Sequence, residues 1–204
     1  MTTIKYSTHY IDLTREQLLK KVAAAMSSKR FEHVMRVEQT ALDLARRYGA
    51  NEEKTSIAAL LHDFAKEAPD HSMRDLIISE NLDLDLLSFG NAVWHGPTGA
   101  ILANKMFGIE DDEILQAIAE HTCGSLPHAP LVQKIVFVAD FIEPARDFPA
   151  VEHAREIAKR SLDAAVFFEL QHTLKYLLEK EARIYPKTLQ NYNAWISENE
   201  KGKE

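Results

Sequence analysis

Apolar residues recur at helical spacing in nearly every segment of this chain, and a turn or breaker residue closes each segment. Phe31, Val34, Val37, Ala41, Leu44, Ala45 and Tyr48 share the face of one expected helix, and Gly49 is placed to end it with a left-handed residue. Only the segment 131–141 is ambiguous. Its stretch 135–139 is continuously apolar, so periodicity alone does not separate a strand from a buried helix. A strand needs a partner, and the chain offers no second convincing one. The segment is therefore expected to be a buried helix, and the fold class all-α, a single helical bundle.

The expected elements follow from caps and breakers. Thr14-Arg15-Glu16-Gln17 reads as a capping box opening a helix over about 14–26. Ser28 is placed to cap the second helix, and Asn51 a third running through Phe64 until Pro69 breaks the pattern. A helix over 72–80 and a turn-rich stretch at 82–90 come next. Pro97 suits the first position of a helix ending near Gly108. Asp111, Asp112 and Glu113 open another that runs to about His121. Pro127 and Pro130 mark 122–130 as loop. Helices are expected at 151–158 and 161–184, with Pro186 stopping the latter and Thr188 capping a last short helix that carries Trp195. The chain thus reads as one domain over 1–204: an N-terminal helix at about 14–26, a core at 28–146, C-terminal helices at 151–198 and a charged tail at 198–204.

Composition narrows the function. A net charge of −7 excludes a broad nucleic-acid or anionic-membrane surface, which needs a basic footprint. A phosphorylated small molecule remains open, provided metals or a few local cations reverse the field. Cys123 is the lone cysteine, which rules out an intrachain disulfide and a zinc-thiolate site. Residues 1–14 carry no apolar signal core, and no apolar run is long enough to cross a bilayer. The expectation is a cytoplasmic protein with no nucleic-acid or membrane partner. A homodimer is compatible with the sequence.

The chemistry gathers on histidines. Nine are present, and for most the expected role is structural or at the surface. His33 and His121 instead share apolar helix faces. His62-Asp63 closes the apolar run 57–61, and Asp140 closes the run 135–139. A carboxylate buried there without a partner costs several kcal/mol, about 3 or more, which a metal ion would offset while keeping the imidazoles neutral. His95 stands before Gly96-Pro97 at an expected helix entrance. Other candidates are weaker. Cys123 has no positioned base, and Asp83 and Asp85 alternate with leucines toward solvent. The dipeptide His62-Asp63 alone means little, since nine histidines and twelve aspartates yield about half an occurrence by chance. The ordered set His33, His62-Asp63, His95, His121 and Asp140 carries far more.

That ordered set resembles the HD-domain phosphohydrolase superfamily, whose pattern is H…HD…D with further histidines in two-metal members. The segments Arg30-Phe31-Glu32-His33, Leu60-Leu61-His62-Asp63-Phe64-Ala65-Lys66, Trp94-His95-Gly96-Pro97 and Ala119-Glu120-His121-Thr122 carry it. The stretches from Val138 to Arg146 and from Tyr185 to Leu189 resemble the YqeK branch, the symmetrical bis(5′-nucleosyl)-tetraphosphatases.

The resemblance implies a helical HD domain that splits diadenosine tetraphosphate into two ADP, with a metal-activated water attacking a phosphoryl group. It implies metal ligation by His33, His62, Asp63 and Asp140. His95 and His121 either bind a second ion, with Asp63 bridging, or contact the phosphates, and the sequence does not choose. Iron is the implied ion, with manganese or another divalent ion as alternatives, one or two per chain. Zinc is disfavoured by the number of converging ligands. Asp63, Lys66, His95 and His121 are the implied catalytic groups. Arg30, Lys66, His95, His121, Asp140 and Arg146 would meet the phosphates, and Tyr185, Thr188 and Asn191 the nucleoside. Two alternatives stay open. One is the same site acting on a nucleoside monophosphate, a cyclic nucleotide or a guanosine alarmone; the other is a non-catalytic nucleotide-sensing module.

Overall fold

The structure is a computed structural model that describes residues 4–201. Ten α-helices and one 3₁₀ turn follow one another, and no strand occurs among the described residues: α1 (Arg15–Ala24), α2 (Ser28–Tyr48), α3 (Glu52–Leu61), α4 (Asp70–Ser79), the 3₁₀ turn Leu84–Ser88, α5 (Asn91–Phe107), α6 (Asp112–Glu120), α7 (Leu131–Ile142), α8 (Val151–Arg160), α9 (Leu162–Glu179) and α10 (Pro186–Lys201). The all-α expectation holds, and the ambiguous segment is the helix α7. No helix among the described residues is long and apolar enough to cross a membrane.

The fold is organised around α3. Every residue from Thr55 to Leu61 is buried, because α2, α6 and α7 enclose the helix. Its leucines and isoleucine each contribute about 1.5–3 kcal/mol of transfer free energy in such a site. Its polar members are satisfied locally. Thr55 Oγ1 donates to Asn51 O at 2.8 Å, and Ser56 Oγ donates to buried Glu38 at 2.5 Å. A smaller apolar cluster of Met73, Ile77, Leu86, Trp94, Cys123 and Tyr185 sits beside the main core and ties α4 and α5 to the start of α10.

Several boundaries differ from the sequence reading, each for a local reason. Ser27, not Ser28, caps α2, its Oγ accepting from Arg30 N. α3 ends at Leu61 rather than Phe64. From there the backbone tightens to i→i+3 bonds, Phe64 N to Leu61 O and Lys66 N to Asp63 O. α9 stops at Glu179, five residues early, and Glu181 turns the chain in the left-handed region at φ 51. Thr188 does not cap α10. The helix already starts at Pro186, a proline suited to a first position, and Thr188 N bonds Tyr185 O within the first turn. The charged tail is helical as far as Lys201, with residues 202–204 outside the described part.

The largest correction concerns Pro97. It lies inside α5, six residues after its start, instead of opening it. The missing N–H frees Val93 O from its helical bond, and Thr122 Oγ1 donates to that carbonyl at 3.4 Å. Gly96 decides how closely α5 packs at this point. A β-carbon there would stand 2.6 Å from Ala119 O, so the glycine lets α5 lie directly against α6.

Candidate metal centre

Six side chains from five elements converge. His33 projects from the second turn of α2, and His62 caps the C-terminus of α3 with Asp63 next to it. His95 comes from the second turn of α5, His121 caps the C-terminus of α6, and Asp140 lies in the last turn of α7. Three helices therefore end at one point. Their carbonyl ends place partial negative charge there, a field that favours a cation. The imidazoles and Asp63 are buried, while Asp140 keeps about a quarter of its side chain exposed.

Each imidazole is oriented by its Nδ1. His62 Nδ1 lies 2.7 Å from Ala59 O, His95 Nδ1 2.6 Å from Asn91 O and His121 Nδ1 2.7 Å from Ile118 O, so each donates its proton to its own helix. His33 Nδ1 donates to Glu143 Oε1 at 3.2 Å. In the neutral ring every Nε2 then carries a lone pair, and all four face Asp63 or Asp140. Asp63 stands between two pairs. Its Oδ2 is 3.5 Å from His62 Nε2 and 3.6 Å from His33 Nε2; its Oδ1 is 3.3 Å from His95 Nε2 and 3.8 Å from His121 Nε2.

The donor set fits a metal on two counts. His95 Nε2 and His121 Nε2 approach to 3.0 Å, lone pair toward lone pair, which is repulsive unless a cation sits between them. The buried Nε2 atoms of His33 and His62 have no hydrogen-bond partner among the described residues, and His33 Nε2 faces Asp140 Oδ1 at 3.0 Å, lone pair toward carboxylate. Three overlapping trios, His33-His62-Asp63, His62-His121-Asp140 and Asp63-His95-His121, hold their donor atoms within 4.8 Å of one another.

Protonation follows the same field. Burial pushes the Asp63 carboxyl up, but His62, His95 and His121 outweigh it and hold the group well below the usual carboxylate range. For Asp140 burial is likewise outweighed, by His33, His62 and Arg146. Burial lowers His62, yet Asp63 beside it leaves that imidazole raised overall. His121 is pushed down to about 3 by burial and by its neighbours His95 and His62. Within one cluster, His62 therefore holds a proton more readily than His121.

Cations ring the open side. Arg30 Nη1 donates to Asp63 Oδ2 at 2.8 Å, and Arg146 folds back onto Asp140, its Nη2 2.5 Å from Oδ1 and its Nε 2.9 Å from the backbone oxygen. With Lys29 and Arg36 they line a cavity of about 360 Å³ that His33 also reaches. Lys66 Nζ is 3.4 Å from His95 Nδ1; that proton belongs to the closer Asn91 carbonyl, so Lys66 is a charged neighbour rather than a bonded partner. Burial lowers its pKa.

The Tyr185 strip stands apart from these contacts. Tyr185 Oη donates to Asp83 at 2.7 Å, Asn191 Nδ2 donates to Cys123 O at 3.1 Å, and Thr188 is buried. Lys187 pairs with Glu120, which precedes His121, so the strip lies behind the His121 side of the cluster. A mostly apolar groove of about 390 Å³ between α5 and α6, rimmed by Tyr185 and Lys187, contains none of the six converging residues.

Two residues escaped the sequence reading. Glu143 is buried, holds His33, and is itself held by Arg36 Nε at 2.7 Å and Ala145 N at 2.7 Å. Helical spacing marks both: Arg36 is one turn after His33 and Glu143 one turn after Asp140.

The HD-domain family model matches residues 30–145, which contain all six converging side chains. The chain is 41% identical to the symmetrical bis(5′-nucleosyl)-tetraphosphatase of Halalkalibacterium halodurans, over 91% of this chain and 99% of that one. It is 37% identical to the protein of the same name from Bacillus subtilis, again over 91% and 99%. A crystal structure from Clostridium acetobutylicum, described as a predicted HD superfamily hydrolase involved in NAD metabolism, superposes with a TM-score of 0.82 at 31% identity, covering 91% of this chain and 98% of that one. The order H…HD…D, its convergence in space and these matches lead to one conclusion: the chain belongs to the HD-domain family, among relatives named symmetrical bis(5′-nucleosyl)-tetraphosphatases.

Proposed function

We propose that this protein is a metal-dependent hydrolase that cleaves diadenosine tetraphosphate symmetrically into two ADP. The observation that carries the reading is the convergence of four imidazole Nε2 atoms on Asp63 and Asp140, with His33 reaching a cavity lined by Lys29, Arg30, Arg36 and Arg146 together with Glu67 and Glu143. The relatives bearing the tetraphosphatase name align along nearly their whole length, which supports the same substrate here.

His33, His62, Asp63 and Asp140 would hold one divalent ion, and Asp63, His95 and His121 a second. An imidazole and carboxylate set without thiolate, with more than four donors, favours iron, then manganese, over tetrahedral zinc. A bound ion would supply Lewis acidity toward water and phosphoryl oxygens.

The protein's own groups do the rest. The substrate brings about four negative charges to an acidic chain, so it must enter where cations are concentrated. Arg146 and Arg30 each spend part of a guanidinium on a cluster carboxylate, leaving further N–H groups to orient non-bridging oxygens beside it. Lys66 neutralises charge as it builds on the departing half. Cleavage adds water across the central anhydride: the bond from one inner phosphorus to the bridging oxygen breaks as the water oxygen bonds to that phosphorus. ADP, a stable anion, leaves with little acid assistance. The Tyr185, Thr188 and Asn191 strip would form the nucleoside wall on the His121 side.

Chromatography of the products tests this. With ferrous or manganous ion, ADP should be the sole nucleotide product, and a chelator should abolish it. AMP together with ATP would overturn the symmetrical reading.

A further inference from the structure

The cavity that His33 reaches is graded from buried to exposed. His33 and Glu143 are buried at its inner end, Arg30, Arg36 and Arg146 are half-buried along it, and Ser27, Lys29 and Glu67 stand exposed at its mouth. The inner end is joined to the converging residues, since Arg30 bonds Asp63, Arg146 bonds Asp140 and Glu143 holds His33. His33 and the cap Ser27 are six residues apart at the start of α2, so the mouth lies about 9 Å from the inner end along the helix. A short phosphate run leading out from the cluster covers that length, and whatever follows it meets Ser27 and Glu67.

The sign of the charge changes at the mouth. The arginines of the cavity are paired with Asp63, Glu143 and Asp140. Glu67 is held instead by neutral donors: Ser27 N donates to its Oε2 at 2.6 Å and Ser27 Oγ to its Oε1 at 2.7 Å. These two bonds fix the carboxylate in place and keep its pKa below the ordinary value, so it is charged at neutral pH. A fixed negative charge opposes a polyanion in a cavity that otherwise attracts phosphate. What it gains is discrimination. A phosphate chain capped by a ribose brings a neutral group to the mouth, whereas a free polyphosphate brings more charge.

We infer that Glu67 is a specificity-determining residue, which admits a ribose-capped phosphate chain at this mouth and repels one that ends in a free phosphate. This rests on the dinucleoside-tetraphosphatase reading above, and it supplies the basis on which uncapped polyphosphates are refused.

The test compares wild-type and Glu67→Gln protein, both metal-loaded, by equilibrium binding of ADP and of inorganic tripolyphosphate. Glutamine keeps the shape of the side chain and an acceptor for Ser27, and position 67 is exposed, so the fold should persist. Tripolyphosphate should bind Glu67→Gln about tenfold more tightly than wild type, with ADP within about twofold, and the difference should shrink as salt screens the charge. Equal tripolyphosphate affinity in the two proteins, including no binding to either, overturns the proposal. So does an equal gain for ADP, which would make Glu67 an unselective repulsive charge. Weaker binding of both ligands also overturns it, because Glu67 would then only support the start of α2. These outcomes are read from binding and stand whether or not diadenosine tetraphosphate is cleaved. A tenfold gain without any cleavage would remove the parent reading and leave the charge selection in place.

Discussion

His95 Nε2 and His121 Nε2 lie 3.0 Å apart, although the two residues come from different helices and each has already given its Nδ1 proton to a carbonyl of its own helix. The approach depends on the residue after His95. Gly96 lets α5 touch the backbone of α6 at Ala119, two residues before His121.

Gly96→Ala should therefore part the two helices. Inserting a methyl group 2.6 Å from Ala119 O costs about 1–3 kcal/mol by overpacking. The predicted outcome is a lowered melting temperature together with weakened metal retention, measured by thermal denaturation and by elemental analysis on the same sample.

Glu143 orients His33 and is held in turn by Arg36 and Ala145 N. Groups that orient a ligating imidazole in this way are worth about 10–100-fold in metal affinity or activity. Glu143→Gln should lower metal affinity within that range while the fold persists, as a metal titration would record. An unchanged affinity would make Glu143 a partner of Arg36 alone.

Arg146→Ala should raise KM for the tetraphosphate about 10–100-fold, the loss expected for one charge-assisted contact, and leave metal content intact. If the metal is lost instead, the pairing of Arg146 with Asp140 is structural support for the cluster.

Glu169 carries a different signal. It is buried on α9, and its Oε2 has no hydrogen-bond partner among the described residues. Burial, with Asp140 nearby, holds its pKa well above the ordinary 4.5. The folded state thus binds this proton more tightly than the unfolded chain. Its contribution to stability is complete below pH 4.5 and is lost as pH rises through the raised folded value. Glu169→Gln should raise the melting temperature more at pH 8 than at pH 5, by about 2–4 °C for each kcal/mol recovered. An equal shift at both pH values would contradict a buried, proton-holding carboxyl.

Much of this was legible in the sequence because helix period and ligand order are local patterns. The run 57–61 followed by His62-Asp63 announced a buried helix ending in charge, and α3 is that helix. The details that tertiary packing decides were hidden. Pro97 read as a helix start because a first position suits proline, yet α5 runs through it, with Gly96 packed against α6. Thr188 read as a cap because its type suits one, while Pro186 had already begun the helix. The side chains of Tyr185 and Asn191 bond Asp83 and Cys123 O, partners 102 and 68 residues away that no local pattern reveals. Glu143 and Arg36 were missed although each is one turn from a converging residue, because neither has a distinctive residue type for ligation.

Asp63 is the point on which the account turns, since its two oxygens face the two histidine pairs. The decisive measurement is the metal content of the wild-type protein and of Asp63→Ala, purified in parallel without oxygen. One or two equivalents of divalent metal in the wild type and almost none in the variant is the predicted result. Full metal content in Asp63→Ala would contradict it.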